Sequence, residues 1–548
     1  MLKKNEIVKL TIDKMTFEGL GVARYNDEDC NNFAVFVHAA AVGEILDCRI
    51  VKVLPKYAFA IPESFDLLSD IRVEPECKTY RRCGGCSFSH ISYPAEVEFK
   101  KGFVEDAFHK NFPSNVCKIE DVIASPQDEF YRNKAQFPVS LNGKCGFFAK
   151  NTHRIVEIEK CFLNDEAFLP LVETFESYIS RYKVSCYNEE TGKGLLRHFC
   201  LRKAPGTGEI MIIIVVNGRD IPHKEQLTSA LSAHDGVKSI YMNINTANTN
   251  VILSRECRLL WGKETIRDRL CSMFFDISPL SFYQINSPQA ENIYNYIKEN
   301  AGLTQDDIVL DLYSGIGTIG LILSRQVKKV IAIEVVEQAV SNAAQNMLQN
   351  DIRNYLLYLA SAAETTDILS GLPSADMPNV VIVDPPRKGL DEETIKAMLK
   401  INPRKIIYVS CNPATLARDL EIITRTEPSY KLDKIQPFDM FPRTSHVETV
   451  CLLSKLNTKQ HIEINLDMDE LDLTDAEKKA TYQEIKDYVL EHSGLKVSSL
   501  YIAQVKQKCG IIERENYNKP KSEDAKQPQC PPDKEKAIKE ALKHFGMI

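Results

Sequence analysis

Apolar and polar positions alternate every second residue over 7–12, 33–37 and 44–53, a period that predicts short half-buried strands. Glycines at 19, 21 and 43 punctuate these runs, as in a small β-barrel. Residues 74–90 replace periodicity with cysteine and glycine, which predicts a loop. Strand patterns return at 135–141, 209–217 and 239–245, with one irregular helical stretch near 165–182. From about 285 helical patterns (289–299, 320–324, 337–350, 392–399) interleave with apolar runs (308–313, 329–335, 380–383, 405–410). Alternation of this kind predicts an α/β, doubly wound (Rossmann-like) parallel sheet. Beyond 456 come an acidic segment (467–475), a helical stretch and a polar, proline-containing one (516–533).

A chain of 548 residues exceeds a single hydrophobic core. The patterns divide it into a barrel over 1–60, a β-rich central domain over 61–284, the doubly wound domain over 285–456 and a C-terminal helical extension over 457–548. With 44% hydrophobic and 26% charged residues the composition is that of an ordinary globular chain. The longest apolar candidate, 210–216, is far below a membrane span, and the first residues lack a signal peptide's apolar core. A cytoplasmic monomer without a membrane partner is expected. The net charge of −7 excludes a uniformly basic nucleic-acid binder but leaves room for a local basic groove.

Sixteen cysteines are many for such a compartment, where disulfides are rare. Cys48, Cys200 and Cys257 sit in apolar strand patterns and read as core residues. Cys509, Cys530 and the histidines 461, 492 and 544 form no ligand spacing. Two groups need another explanation: Cys77, Cys83 and Cys86 with Cys161 downstream, and the lone Cys411. Four thiolates suit a tetrahedral zinc or an iron–sulfur cluster, and spacing leaves both open.

In IVLDLYSGIGTIGL, Asp311 ends an apolar strand and Gly315 and Gly317 lead into a helix, so the backbone can pass close to a ligand over the helix N-terminus. The next strand ends in Glu334, placed to accept hydrogen bonds from ribose hydroxyls. No third glycine and no GK[ST] follow, which argues against a triphosphate; S-adenosylmethionine suits the loop better. Two more strands end in DPPRKGL, after Asp384, and SCNPATLARDL, around Cys411. Chemistry in a doubly wound sheet gathers at the carboxyl ends of its strands, so Glu334, Asp384 and Cys411 are expected in one crevice. A helix starting near Pro413 is expected to favour the Cys411 thiolate through its dipole. FDMFPRTSHVETV then brings His446 and Glu448 just before another strand.

DLYSGIG, DPPRKGL, SCNPATLARDL and FDMFPRTSHVETV, in this order, resemble the S-adenosylmethionine-dependent RNA uracil-5-methyltransferases, and with the barrel and cysteine cluster the resemblance is to their 23S ribosomal RNA branch. It covers roughly 1–456. It implies that the barrel is a TRAM domain, an RNA-binding OB-like module. It implies that Cys411 is a nucleophile adding to uracil C6 and Glu448 the base that removes the C5 proton. Gln284, Tyr313, Glu334 and Asp384 would meet the cofactor, although Asp384 could instead orient the uracil edge. Cys77, Cys83, Cys86 and Cys161 would hold a [4Fe-4S] cluster that pins a loop and shapes the RNA surface. Phe282 falls where the family has an aromatic able to replace base stacking when the target base is flipped out.

Local basic residues complete the expected RNA path: Lys78, Arg81 and Arg82; Arg132 and Lys134; Arg197, His198, Arg202 and Lys203. Tyr80, Phe88, Tyr131, Phe137 and Phe199 interleave with them as stacking rings. Ribosomal RNA is the expected partner. A transfer-RNA uracil methyltransferase, a nonenzymatic iron–sulfur RNA-binding module and a DNA cytosine-C5 methyltransferase are the rival readings, the first sharing the whole catalytic half.

Overall fold

A computed structural model describes residues 2–27, 30–112, 117–456, 482–509, 530–545 and 547. The chain divides into two compact units, Met1–Asn457 and Thr458–Ile548. The expected acidic segment, His461 and nearly all of the polar stretch over 516–533 lie outside the described residues.

The first strands are β1 (Ile7–Met15), β2 (Leu20–Asp27), β3 (Cys30–His38), β4 (Ile45–Val53) and β5 (Tyr57–Leu67), which close into a barrel in the order β1-β2-β3-β5-β4. Alternation explains the closure: Val8, Leu10 and Ile12 point inward while Lys9, Thr11 and Asp13 face water.

The cysteine loop leads into a helix the sequence pattern hides, α1 (Tyr93–Asn111). Its inward face carries Glu96 and Lys100, both fully buried, so the apolar period is interrupted where the helix is most enclosed. Lys100 Nζ donates to Glu96 at 2.7 Å, to Asp439 at 2.6 Å and to the Phe441 carbonyl at 3.1 Å. Assigned by pattern to the central domain, α1 instead shares its apolar core, through Val104, Phe108 and Phe112, with the doubly wound domain.

The central domain comprises β6 (Lys134–Pro138), β7 (Gly146–Phe148), β8 (Ile155–Glu157), α2 (Phe168–Tyr182), β9 (Leu196–Ala204), β10 (Glu209–Val216), α3 (Lys224–Ser232), β11 (Val237–Ile244) and β12 (Cys257–Gly262). Its sheet runs β12-β11-β10-β9-β6, and Phe175 of α2 stacks on Phe199 of β9 with ring centroids 4.1 Å apart. A hairpin of β13 (Ile266–Leu270) and β14 (Met273–Ile277) follows, turning through the left-handed pair Cys271 and Ser272.

The doubly wound domain contains α4 (Ser287–Asn300), β15 (Ile308–Leu312), α5 (Thr318–Ser324), β16 (Lys329–Glu334), α6 (Glu337–Gln349), β17 (Tyr355–Leu359), α7 (Thr365–Ser370), β18 (Val380–Val383), α8 (Glu392–Ile401), β19 (Lys405–Ser410), α9 (Pro413–Thr426), β20 (Tyr430–Phe438) and β21 (Glu448–Lys455). Seven strands lie in the order β17-β16-β15-β18-β19-β21-β20, parallel except for β21, which runs antiparallel to both β19 and β20. The order reverses between β15 and β18, which opens a crevice at their carboxyl ends.

The C-terminal unit contributes α10 (Tyr482–Ser493), α11 (Ser499–Lys508) and α12 (Pro532–His544), held by Ile485, Val489, Ile502, Val505, Ile538 and Leu542. Among the described residues no helix is long and apolar enough to cross a membrane.

Candidate active site and cysteine cavity

The sequence places its unusual residues at strand ends, and the sheet brings those ends together. After β15, Tyr313 adopts the left-handed region (φ 64°), as do Gly315 (φ 57°) and Gly317 (φ 84°), which caps α5. A non-glycine residue held there costs about 1 kcal/mol or more and marks a conformation fixed by its surroundings. Close packing behind the loop needs Gly320, since a Cβ there would lie 2.5 Å from Asp311 Oδ2. Glu334, at the end of β16, accepts the Gly315 N–H through Oε2 and the Val336 N–H through Oε1, both at 2.9 Å. Its carboxylate thus shapes the glycine loop and keeps lone pairs free for a ligand.

Cys411 and Glu448 meet through the sheet itself. The β19–β21 ladder pairs Lys405 with Ser454 and so on to Ser410 with Thr449. One step further in that register sets Cys411 opposite Glu448, and directly opposed residues project to the same face. Asp384 follows β18 on the adjoining strand. Burial and the neighbouring Asp384 push the Glu448 carboxyl well above its ordinary range, while the Arg387 guanidinium opposes this. Burial raises Asp384 to about 7. Carboxyls crowded in this way hold a proton near neutral pH.

The expected dipole-stabilised thiolate is not what the environment favours. Asn412 does cap α9, accepting from Ala414 N at 3.1 Å. Yet burial, followed by Glu448, raises the Cys411 thiol to about 11, Arg387 pulling the other way. Desolvation and facing carboxylates outweigh one helix end.

Arg387 and Tyr294 belong to this site although the sequence reading gave them no role. Arg387 Nη2 lies 3.2 Å from Nε2 of His446, whose pKa burial and Arg387 lower to about 4, so the neutral ring accepts from the guanidinium. Arg387 stands inside DPPRKGL, where its charge three residues from Asp384 was a usable signal. Tyr294 of α4 is buried, and Asp384 and Glu448 both act on its hydroxyl. Nothing in its helical pattern set it apart from a core residue.

A sequence profile described as tRNA (uracil-5-)-methyltransferase matches residues 92–456, and one described as TRAM domain matches 2–62. The chain belongs to the tRNA (uracil-5-)-methyltransferase family. An RNA methyltransferase of Clostridium acetobutylicum is 38% identical over 464 residues, 83% of this chain and 98% of that protein. One from Staphylococcus aureus is 39% identical over 458 residues, 83% of this chain and 99% of that one. The crystal structure of the Pyrococcus abyssi tRNA (uracil-54, C5)-methyltransferase in complex with S-adenosyl-L-homocysteine is similar with a TM-score of 0.67 at 29% identity, covering 81% of this chain and 99% of that one.

In this RNA methyltransferase Phe282 is the most prominent ring of the 278–286 loop, 68% exposed. Gln284, two residues on, is half-buried, and its carbonyl accepts from Asn133 at 2.9 Å.

Cys77, Cys83, Cys86 and Cys161 line one cavity of about 290 Å³ together with Arg132, Asn164 and Arg443. Burial raises Cys83 and Cys161 and takes Cys86 to about 12. Donors face the sulfurs: Gly85 N–H reaches Cys83 Sγ at 3.4 Å, and the Leu163 and Asn164 backbone amides reach Cys161. Asn164 Nδ2 is buried without a partner. Among the described residues no group of three or more His, Cys, Asp or Glu side chains is placed to hold a metal ion, the four cysteines included.

The expected RNA path is partly corrected. Arg197, His198 and Arg202 are buried at 6%, 6% and 3% exposure, and Phe88, Tyr131, Phe137 and Phe199 lie in the core. Strand β9 is covered on both faces, so its arginines serve internal hydrogen bonding: Arg197 donates to the Asn245 and Ala247 carbonyls, Arg202 to those of Ser278 and Ser281. Tyr80 is half-buried and bonded to the Ser87 carbonyl. Lys203 is paired with Asp165 at 2.8 Å and Lys78 with Glu159 at 3.2 Å. Arg132 faces the cysteine cavity, and burial with Arg202 nearby lowers Lys134 to about 8. Arg81 and Arg82 do remain exposed, joined by Lys150 and Arg154 around a cleft of about 510 Å³ between the barrel and the cysteine loop.

Proposed function

We propose that this enzyme transfers a methyl group from S-adenosylmethionine to C5 of a uridine in ribosomal RNA, with 23S RNA as the substrate, through a covalent Cys411–C6 adduct. The observation that carries this reading is the register that faces Cys411 with Glu448 beside Asp384. Uracil C5 is too weak a nucleophile unaided. Sulfur addition at C6 moves electron density to C5, and a base must then take the C5 proton so that the thiolate can leave. Glu448 serves as that base in its ionised form, in which the proton affinity raised by burial makes it the stronger acceptor. Arg387 lowers the proton affinity of both Cys411 and Glu448 and so favours the thiolate and carboxylate that addition and proton removal require, and Asp384 either contacts the cofactor or orients the uracil edge.

S-adenosylmethionine supplies an electrophilic methyl group when bound. Gly315 and Gly317 leave room for it over the α5 N-terminus, with Tyr313, Glu334 and Gln284 around it; the solved relative's complex with S-adenosyl-L-homocysteine supports the choice. Phe282, exposed at the rim, receives the neighbourhood of the flipped base. The exposed arginines and lysine of the barrel cleft take the RNA backbone, to which Lys134 adds little once buried.

The cysteine cavity suits a [4Fe-4S] cluster. Four thiols share it, amide donors face sulfur, and the unpartnered Asn164 Nδ2 supplies another donor. The cluster would fix the loop 77–86 by binding Cys77, Cys83, Cys86 and Cys161.

The deciding experiment uses an RNA oligonucleotide containing 5-fluorouridine, whose adduct cannot lose a C5 proton. A denaturation-resistant complex dependent on S-adenosylmethionine and linked at Cys411 is expected; its absence overturns the reading. Transfer RNA is a second reading, favoured by the P. abyssi relative's substrate. Mapping 5-methyluridine in ribosomal and transfer RNA from cells with and without the gene separates the two.

A further inference from the structure

Three asparagines recur every fourth residue along one face of α6 and its C-cap: Asn342, Asn346 and Asn350. Asn342 and Asn346 are buried, at 2% and 0% exposure. Each bonds the chain at every second position of β14 and the loop beyond it. Asn350 Oδ1 accepts the Phe274 N–H at 2.9 Å and its Nδ2 donates to the Phe274 carbonyl at 2.7 Å. Asn346 Oδ1 accepts the Asp276 N–H at 2.7 Å. Asn342 Nδ2 donates to Ser278 Oγ at 2.9 Å and to Ser281 Oγ at 2.5 Å. The match is metric: four helical residues rise about 6.0 Å, and two strand residues span about 6.6 Å.

The rungs touch different things. Asn350 reaches the start of β14 and, at 2.8 Å, the Asn346 carbonyl of its own helix. Asn346 also donates, at 3.2 Å, to the carbonyl of Ile316, between Gly315 and Gly317 of the cofactor loop. Asn342 holds the two serines at the root of the loop bearing Phe282 and Gln284, and Arg202 clamps the same serines by their carbonyls, at 3.1 and 2.7 Å. Helix α6 itself begins just after Glu334.

We propose that this ladder sets the 278–284 loop against the target base, with Asn342 the positioning residue that aims Phe282 and Asn346 tying the same helix to the cofactor loop. The proposal rests on the reading of Phe282 as the ring beside the flipped uridine. If the asparagines served stability alone, losing any rung would lower the melting temperature and leave adduct chemistry unchanged. A positioning role predicts that the rungs differ.

The test uses the full chain and 5-fluorouridine RNA, comparing Asn342→Ala, Asn350→Ala and Phe282→Ala. Asn342→Ala and Phe282→Ala are each expected to slow adduct formation by about tenfold or more, as loss of near-attack geometry does. Asn342→Ala should keep its affinity for S-adenosylhomocysteine within about threefold, the split of a residue acting on the RNA side. Asn350→Ala should lower the melting temperature with adduct formation within about twofold of the unmodified enzyme. Ser278→Ala combined with Ser281→Ala removes both contacts from the other side and should reproduce the Asn342→Ala rate if the latter variant folds poorly. Adduct formation by Asn342→Ala and by the double serine variant within about twofold of the unmodified rate overturns the ladder's role whatever Phe282→Ala does. An unchanged rate for Phe282→Ala overturns the reading of Phe282, and the proposal with it.

Discussion

The backbone carbonyl of Arg443 accepts the N–H of Ser87 at 2.8 Å, joining the cysteine loop to the segment that leads into Glu448. Arg443 is itself left-handed (φ 65°), and its N–H is held by Glu96 at 2.7 Å. Release of the cysteine loop should therefore loosen the approach to β21. Cys86→Ala is expected to lower the melting temperature and the methylation rate while S-adenosylhomocysteine affinity, measured by calorimetry, stays within about threefold.

Cys411→Ala should abolish methyl incorporation from labelled S-adenosylmethionine, with cofactor affinity changed by no more than about threefold. The side chain follows β19 and supports no core layer, so its loss removes chemistry and spares the fold. Retained turnover would exclude Cys411 as the nucleophile.

Glu448→Gln preserves shape but cannot take a proton. With ordinary uridine RNA it should accumulate the methylated covalent adduct that the unmodified enzyme resolves, seen as a band of shifted mobility on a denaturing gel. A variant that neither turns over nor accumulates adduct would place Glu448 before the methyl transfer.

Asp311 is buried behind the glycine loop, and burial raises its carboxyl to about 8 from an ordinary 3.8. The folded state therefore holds a proton that the unfolded chain releases. Stability from this group is complete below the ordinary value and is lost as pH climbs through about 8. The melting temperature should fall between about pH 4 and about pH 8 and level off above, and Asp311→Asn should flatten that fall. An identical slope in the variant would show that other groups govern it.

Replacing Arg81 and Arg82 with glutamine should weaken RNA binding and reduce its dependence on salt, because each phosphate contact releases a counterion. Filter binding across a salt series reads both effects. An unchanged slope would move the RNA path away from the barrel cleft.

The doubly wound sheet was legible because β15, β16, β18 and β19 are mostly apolar and end in or lead into glycine, acid or cysteine. Helix α1 was not, because Glu96 and Lys100 satisfy each other inside the core and read from sequence as a solvated face. The same blindness misassigned Arg197, His198 and Arg202, whose charges looked available and are enclosed by a doubly covered strand. Cys411 and Glu448 were singled out separately. That they oppose each other depends on β21 returning antiparallel, a pairing no local pattern encodes. The asparagines of α6 drew no notice in the sequence, since only the strand they meet reveals the use of their spacing.

That return strand bears on how such a protein can change over generations. Exposed positions of α9 and of the turns between 412 and 447 can be recast without altering the separation of sulfur and carboxylate, which neighbouring rails of one sheet maintain, provided that β20 and the anchored Asp439 and Arg443 are kept. A single deletion within either rail, by contrast, would turn one of the two groups to the opposite side. Variation in target preference is thus free to accumulate in the intervening helix and loops, while the reacting pair is inherited as a unit.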